Sequence, residues 1–243
     1  MARYFDGSTF KVSVADASEI RVAAGDFTVA CWFIADVFSG YKTLFSKAAG
    51  SGTRELSVYI QNGTDIYYGV GFGTAYAGCS PTWKLNQWQH FCMTRTGSAV
   101  KIYNNGVQCS AFTEAGTSTG TTALEIGSGV DGLAKWSGKI AEFGLWNTHT
   151  RPNDIVRLAK GAGALDVNAG ALVRYLPLWG TNSPETELVR GGVGTVTGAT
   201  AFPHPRIGKV ENHLLRRFSS RDAAIASVAA APTRKRLAML GVA

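Results

Sequence analysis

Most of this chain is a series of short segments in which apolar and polar residues alternate, separated by glycine, asparagine, serine and threonine. Alternation with period two places apolar side chains on one face of a strand. Such segments recur at near-regular spacing from Tyr4 to about Phe202, which predicts an all-β fold, an antiparallel two-sheet jelly-roll sandwich. Beyond the N-terminal alternation, the predicted strands are 27–33, 42–47, 55–61, 66–71, 88–96, 100–104, 123–126, 139–146, 172–178 and 194–201.

The turns between these strands carry their own markers. Residues 61–63 and 104–106 both contain Asn-Gly, which favours the positive φ angles of a tight hairpin. A third hairpin is predicted across Gly97-Ser98, between two apolar strands. The last two strands, 172–178 and 194–201, are predicted to form a pair with a turn at Gly191-Gly192.

One helix interrupts the strands after Trp146. Thr150 or Arg151 is the predicted cap, Pro152 lies in the first turn, and Gly161 ends the helix. Ile155 and Leu158, with Val156 beside them, form a narrow apolar stripe that we expect to lie against the sandwich. Trp32 and Trp146 are interpreted as core residues.

The net charge of +7 is concentrated at the C-terminus. Eight basic and two acidic residues in 204–243 account for six of the seven positive charges, so the preceding residues are close to neutral. The prolines of the PHPR segment end the last strand, and we place a domain boundary after Arg206. The sequence therefore predicts a sandwich over 1–206 and a basic, alanine-rich tail over 207–243, in extended or helical conformation.

The N-terminus lacks the features of a secretory signal, which predicts synthesis in a cytoplasm. No run of 18 apolar residues is present, so no transmembrane helix is expected. The four cysteines, Cys31, Cys79, Cys92 and Cys109, have no CxxC spacing and are too few and scattered for a disulfide framework. We interpret them as buried, reduced thiols.

The order of the strand motifs resembles the laminin-G-like and pentraxin-like branch of the concanavalin A-like lectin and glucanase superfamily. The matching pieces are RYFDGS, FTVACWF, TLFSK, WKLNQWQHFCMTRTGSAVKIYNNGVQ, LEIGS and WSGKIAEFGLWNTHTRPNDIVRLAKG. The resemblance covers about residues 3–203 and implies a two-sheet jelly roll, whereas the tail has no counterpart. Members of this superfamily bind sugars, bind proteins, cleave glycans or serve as structural modules, so the fold alone does not decide the function.

Catalysis is not expected. Glycan hydrolysis needs paired carboxylates, and the Glu-x-Asp-x-Glu strand of the glucanase branch has no match here. Glu185 and Glu187 have the spacing of two such acids but lie in a loop with a proline, and Glu142 is a lone acid that we interpret as an edge or partner-bonded carboxylate. His90 is interpreted as a neutral, hydrogen-bonded histidine in the core or on a face of its strand, and no nucleophile or phosphate-loop motif accompanies it.

The pentraxin branch also implies a calcium site and a disulfide. The corresponding acidic loop contains one acid, Asp131, and calcium requires six to eight oxygen ligands, so only a weak candidate remains and no cofactor is predicted. Cys92 falls at the matching place for the disulfide. Cys31 is one residue late, which turns its side chain to the opposite face of the sheet and leaves a Cys31–Cys92 bridge undecided.

Sugar binding requires exposed aromatic side chains with amide groups close by. One stretch, QNGTDIYYGVGFGTAYAGCSPTW, contains both. An alternative is that these aromatic residues pack within the sheet or against a neighbouring subunit. The glycan-binding candidates are Asn62, Asp65, Tyr67, Tyr68, Tyr76 and Trp83.

The tail is expected to dock onto a protein. It lacks the interleaved aromatic residues of a specific nucleic-acid binder and the large apolar face of a membrane helix. Its small apolar residues at helical spacing, flanked by arginines, suit a protein surface. The candidate docking residues are Val210, Leu214, Leu215, Arg216, Arg217, Phe218, Arg234, Arg236, Leu237 and Leu240.

A lectin-like sandwich with a docking tail and no signal peptide resembles accessory proteins of bacteriophage particles. The predicted function is that of a non-enzymatic structural or adhesion protein on the virion surface, as a capsid decoration, head-fibre or tail-associated protein. It would be anchored to other virion proteins by its tail, form a homo-oligomer and touch host-surface glycans. The alternative is a free carbohydrate-binding lectin or the binding module of a glycan-processing enzyme.

Overall fold

A computed structural model describes residues 1–22, 25–49, 54–61, 65–70, 75–79, 83–114, 120–129, 134–180 and 183–208. For residues 54, 65–70 and 75–78 the description is of the backbone. Contacts divide the chain into Met1–Lys209 and Val210–Ala243. All ten docking candidates of the tail therefore lie outside the described residues, as do Asn62 and Asp131.

About half of the described residues lie in β-strands. The sixteen strands form two antiparallel sheets, which confirms the predicted sandwich. The first sheet has the order β10-β9-β8-β3-β12-β1-β16, and β13 also pairs with β12. Its strands are β1 (Ala2–Asp6), β3 (Phe27–Ala35), β8 (Gln89–Thr96), β9 (Ala99–Asn104), β10 (Val107–Thr113), β12 (Ser137–Trp146), β13 (Leu172–Leu176) and β16 (Thr200–Phe202).

The second sheet has the order β14-β15-β2-β11-β4-β5-β6-β7. Consecutive strands β4, β5, β6 and β7 form a meander at one edge, and the short β14 forms the other edge. Its strands are β2 (Lys11–Val14), β4 (Tyr41–Ala48), β5 (Arg54–Gln61), β6 (Asp65–Val70), β7 (Ala75–Gly78), β11 (Leu124–Ile126), β14 (Glu185–Thr186) and β15 (Val193–Thr197).

The main core lies between the two sheets and is rich in aromatic side chains. Phe45 of the second sheet meets Phe143 of the first, with ring centroids 5.4 Å apart, and Phe33 packs edge-on against Trp136 at 5.4 Å. These residues are fully buried. The alternation seen in the sequence thus directs one face of every long strand into this layer.

A second apolar cluster covers the outer face of the first sheet. The helix α1 (Pro152–Ala159) buries Ile155 and Leu158 against residues that include Trp146, whose indole N–H donates to the carbonyl oxygen of Val167 at 2.9 Å. The predicted helix, its apolar stripe and Arg151 as its cap are confirmed. No helix among the described residues is long and apolar enough to cross a membrane.

Two of the predicted hairpins follow directly from their turn residues. Asn105 and Gly106 have φ angles of 50° and 82° between β9 and β10. Gly97 has a φ of 58° between β8 and β9. The third, β5 to β6, is confirmed by the pairing of Gln61 with Asp65.

The predicted pairing of the last two strands is wrong. Strand β13 joins the first sheet beside β12, whereas β15 joins the second sheet between β14 and β2. The segment 194–201 is also not one strand, because a turn at Gly198-Ala199 separates β15 from β16 and sends the chain into the first sheet. Val196 of β15 and the residues of β16 fit one continuous alternation of apolar and polar residues. The alternation alone therefore did not predict the turn between the two strands.

The four cysteines do not all stay reduced, which corrects the expectation for two of them. Cys79 and Cys109 form a disulfide that links the end of β7 to β10, the neighbouring edges of the two sheets. Cys31 and Cys92 are free and buried. They lie on opposite faces of the first sheet, Cys31 in the main core and Cys92 in the outer cluster, so the one-residue offset is real and these two do not pair.

Candidate functional site

The outer face of the second sheet brings together four tyrosine positions near the β7 edge. Tyr59 lies opposite Thr43 of β4 and Tyr67 of β6, and Tyr67 lies opposite Tyr76 of β7. Paired positions in adjacent strands are about 4.8 Å apart, so the three strands β5, β6 and β7 span about 10 Å. Tyr41 completes the set one residue pair further along β4.

Polar positions extend the same face towards the end of the strands. Gln61 lies opposite both Tyr41 and Asp65. We call this set the tyrosine face. Its members are Tyr41, Thr43, Tyr59, Gln61, Asp65, Tyr67 and Tyr76.

The described side chains of the tyrosine face differ in exposure. Tyr41 is 46% exposed and Gln61 is half-buried, whereas Tyr59 is 7% exposed and Thr43 is fully buried. Tyr59 and Thr43 are therefore part of the floor of this surface, and Tyr41 and Gln61 form its accessible rim. An exposed phenol ring beside an amide provides an apolar surface together with a hydrogen-bond donor and acceptor.

A row of residues with hydroxyl or carboxylate groups crosses the same outer face beside the tyrosines. Thr195, Ser13, Glu125, Ser46 and Ser57 are successive partners in register from β15 to β5. The Ser13 hydroxyl donates to the Glu125 carboxylate at 2.9 Å, and the Ser46 and Ser57 hydroxyl oxygens are 2.8 Å apart. We call these five residues the polar row. The outer face of this sheet thus combines aromatic and polar side chains.

The structure keeps some of the sequence-predicted sugar contacts together and removes others. Asp65, Tyr67 and Tyr76 share the tyrosine face by register. Tyr68 lies opposite Val58, a core residue, so its position belongs to the other face of the sheet.

Trp83 is a wrong prediction. It is 4% exposed and packs in the main core, with ring centroids 5.2 Å from Phe33 and 6.4 Å from Phe91. Its loop carries it between the sheets instead of onto the surface. Tyr41 and Gln61, in contrast, were missed, and the signal for them is the pairing of β4 with β5, which a local pattern does not contain.

The acids that the sequence offered as a possible catalytic pair hold the backbone in place. Glu185 pairs with Arg3, and the two side chains are 2% and 4% exposed. Glu187 accepts hydrogen bonds from the backbone N–H groups of Tyr175, Val189 and Arg190 at 2.7–3.0 Å. These contacts account for both carboxylates as structural groups.

Glu142 is partner-bonded, as expected. It is 8% exposed, accepts a hydrogen bond from the Tyr175 hydroxyl at 2.6 Å, and lies 3.0 Å from Nε2 of His204. Burial, followed by the charge of Glu142, raises the pKa of Tyr175 far above its usual range, so the phenol remains a proton donor. The cluster ties β12, β13 and the segment after β16 together.

His90 is neutral, as predicted, because burial lowers its pKa to about 3. It lies on the outer face of the first sheet, where its ring packs edge-on against Trp32 with centroids 5.3 Å apart. Trp32 is therefore not a residue of the main core, which corrects the expectation for it: it is half-buried on that outer face. A group with so low a pKa stays uncharged in the physiological range and does not change its charge there.

The described ranges contain no cluster of side chains suited to binding a metal ion. Among these residues, no three His, Cys, Asp or Glu side chains come together in a way that would hold an ion. The carboxylate of Asp6, within the RYFDGS motif, accepts hydrogen bonds from the turn that follows it. Burial would raise the pKa of Asp6, but hydrogen bonds from the Ser8 side chain and from the backbone N–H groups of Phe10, Ser8 and Thr9 lower it well below its usual range.

Comparison with known sequences identifies the family. The family model described as the concanavalin A-like lectin/glucanases superfamily, of laminin G type, matches residues 6–156. The chain belongs to this superfamily. The resemblance seen in its strand motifs is thus confirmed. No curated protein sequence matches the chain.

Solved structures share this lectin-like jelly roll at low sequence identity. A candidate carbohydrate-binding protein from Bacteroides ovatus is 18% identical with a TM-score of 0.65, and the match covers 85% of this chain and 61% of that one. A heptameric SAP-like pentraxin from Limulus polyphemus is 16% identical with a TM-score of 0.54, over 81% and 95% of the two chains. The CBM40 module of a Ruminococcus gnavus IT-sialidase, bound to α2,3-sialyllactose, is 12% identical with a TM-score of 0.52, over 65% and 98%.

Proposed function

We propose that the chain is a non-catalytic carbohydrate-binding domain that contacts glycans through the tyrosine face of its second sheet. The observation that carries the proposal is the register that places Tyr41, Tyr59, Gln61 and Asp65 on one face. Aromatic rings offer the apolar C–H faces of a sugar a surface to stack on, and the amide and carboxylate bind its hydroxyl groups. The carbohydrate-binding modules among the structural neighbours support the same class of ligand.

A glycan array tests this proposal directly. The full chain is applied to an array of bacterial-surface, host-cell and plant oligosaccharides that includes α2,3-sialyllactose, with and without EDTA. We expect at least one glycan to be bound, and Tyr41→Ala to weaken that binding by about tenfold or more, which corresponds to 1.4 kcal/mol.

A matched control separates binding from folding. Tyr4 lies half-buried on the outer face of the first sheet, so Tyr4→Ala removes a tyrosine of the same size away from the tyrosine face. It should leave glycan binding unchanged. A chain that is folded by circular dichroism and binds no glycan on the array would contradict the proposal.

We further propose that this domain is displayed on a larger particle and anchored by residues 207–243. The support is the concentration of basic and apolar residues in that segment. A bacteriophage virion surface is the setting we favour, with capsid or tail proteins as partners, and the Cys79–Cys109 disulfide suits a protein that works outside a reducing cytoplasm. The alternative, a free lectin or the binding module of a glycan-processing enzyme, agrees equally well with the glycan-binding face.

Truncation distinguishes these two settings. A chain ending at Gly208 retains all sixteen strands, so we expect it to keep its fold and its glycan binding. In the particle setting, the truncated chain is absent from purified particles while the full chain co-purifies with them. Co-purification of both chains would overturn the tail as the anchor, and absence of both from the particles would favour the free lectin or module.

A further inference from the structure

Trp179 differs from every other tryptophan of the chain in its exposure. Its side chain is 45% exposed, whereas Trp83, Trp136 and Trp146 are at most 4% exposed and Trp32 and Trp88 are half-buried. It lies between β13 and β14, far along the chain from the tyrosine face. An exposed indole is unfavourable in water, so its position raises the question of what it contacts.

The backbone around Trp179 is held in an uncommon conformation. Leu178 is fully buried and has a φ of 59°, in the left-handed region that leucine rarely adopts. Gly180 has a φ of 74°, and a Cβ at this position would lie 2.7 Å from the carbonyl oxygen of Ala2. Conformations of this kind cost free energy and are concentrated at ligand-binding sites.

A buried ion pair fixes the same backbone from below. The backbone N–H of Trp179 donates to Oε1 of Glu185 at 2.7 Å. Oε2 of Glu185 accepts from Nε and Nη2 of Arg3 at 3.0 and 2.7 Å, and Nη1 of Arg3 donates to the Ala199 carbonyl oxygen at 2.7 Å. The exposed ring is thus carried by a rigid support, which is the arrangement that lowers the entropy cost of binding a ligand.

The support lies at the opposite edge of the second sheet from the tyrosine face. Glu185 belongs to β14, the first strand of the sheet, while the tyrosines lie on β4 to β7 at its other end. Four strands lie between β14 and β5, so these two strands are five spacings, or about 24 Å, apart across the sheet. One sugar ring cannot contact both.

We propose that Trp179 is a second glycan contact, at which a sugar ring stacks on the exposed indole; this rests on the proposed glycan-binding function. Two of the exposed residues that follow it in the described sequence, Ser183 and Thr186, carry hydroxyl groups, which suit a sugar. Val193, an exposed apolar residue of the neighbouring strand, pairs with Thr186, so these two positions share a face opposite to that of Glu185. One exposed indole ring is small for a protein interface.

The test measures how many glycan sites one chain has. The full chain is titrated by calorimetry with the soluble form of the array glycan that it binds most strongly, and with α2,3-sialyllactose. We expect two sites per chain for the wild type and one for Trp179→Ala, with the remaining site lost in Tyr41→Ala. Trp179→Phe keeps an aromatic ring and should retain the second site with about a tenfold weaker affinity.

The outcomes separate the two proposals. A wild type that binds no glycan overturns the proposed function itself. A wild type that binds one equivalent, unchanged in Trp179→Ala, overturns only the second contact. Loss of self-association in Trp179→Ala, measured by analytical ultracentrifugation, with glycan binding intact would assign the indole to a protein interface and also overturn it. Val107→Ala, at an exposed apolar position of β10 in the first sheet, is the control and should change neither measurement.

Discussion

The two sheets of the sandwich use their outer faces in different ways. On the first sheet, helix α1 and its neighbours bury a second apolar cluster around Trp146 and Cys92. On the second sheet, the outer face carries the tyrosine face and the hydroxyl groups of the polar row. The comparison teaches that one outer face of a two-sheet fold can be covered by an apolar cluster while the other carries hydroxyl groups and tyrosine positions. Substitutions on the two faces should therefore have different consequences.

The largest effect is expected where the first sheet is covered. Trp146 is 1% exposed and its indole N–H is hydrogen-bonded, so Trp146→Ala leaves a large cavity and an unpaired carbonyl. We expect the free energy of unfolding to fall by about 3–5 kcal/mol, measured by guanidinium denaturation. Val107→Ala, at a position that is 60% exposed, is the control and should change it by less than about 0.5 kcal/mol. A loss below 1 kcal/mol for Trp146→Ala would mean that the helix does not seal this face.

The second effect concerns pH and again belongs to the first sheet. His90 has a pKa of about 3 in the fold and an ordinary pKa of about 6.5 when unfolded, so below pH 6.5 the unfolded chain takes up a proton that the folded chain does not. Stability therefore falls as the pH is lowered from 6.5 towards 3, by at most about 1.4 kcal/mol per pH unit.

Replacement of His90 isolates this contribution. His90→Phe keeps a ring against Trp32 and removes the titrating group. The slope of unfolding free energy against pH between 6.5 and 5 should become flatter by up to about one proton, as measured by denaturation at several pH values. This window lies above the range in which carboxylates with lowered pKa values, such as Asp6 and Asp16, lose their contribution. Equal slopes in both proteins would show that His90 is accessible to protons in the fold.

Elements that depend on a few neighbouring residues were predictable from the sequence, whereas elements that depend on distant partners were not. Helix α1 and the Asn105-Gly106 hairpin were predictable because a cap, a proline, a glycine and a turn dipeptide act over a few residues. The switch at Gly198-Ala199 was not, because the sheet that a strand joins depends on distant partners. The disulfide of Cys79 and Cys109 depends in the same way on two sheet edges meeting.

The sequence predicted only part of the candidate site, because the rest depends on strands that become adjacent on folding. Asp65, Tyr67 and Tyr76 stand in one short stretch that was recognisable by composition, whereas Tyr41 comes from a strand that is adjacent only after folding. Trp83 and Trp179 both lie outside the strands, yet one is in the core and the other is exposed. Their difference lies in what the rest of the chain builds around them: aromatic rings for Trp83 and a buried ion pair beneath Trp179.

A smaller effect is expected within the polar row. Ser46 and Ser57 are buried, and their hydroxyl oxygens are 2.8 Å apart. Ser57→Ala removes this partner of Ser46 and should lower the free energy of unfolding by about 1–2 kcal/mol. The double variant Ser46→Ala with Ser57→Ala removes both hydroxyls and should be less destabilised than the sum of the single variants. Strict additivity would contradict a direct hydrogen bond between them.

The smallest effect belongs to the rim of the polar row, where Lys11 and Glu125 form an ion pair. The ammonium and carboxylate are 3.0 Å apart, and the side chains are 35% and 21% exposed, so solvent screens their attraction. Lys11→Met should lower the free energy of unfolding by less than about 1 kcal/mol in low salt, and the difference should vanish in 1 M sodium chloride. A larger, salt-independent loss would mean that this part of the outer face is sealed like that of the first sheet, because only a desolvated pair resists screening.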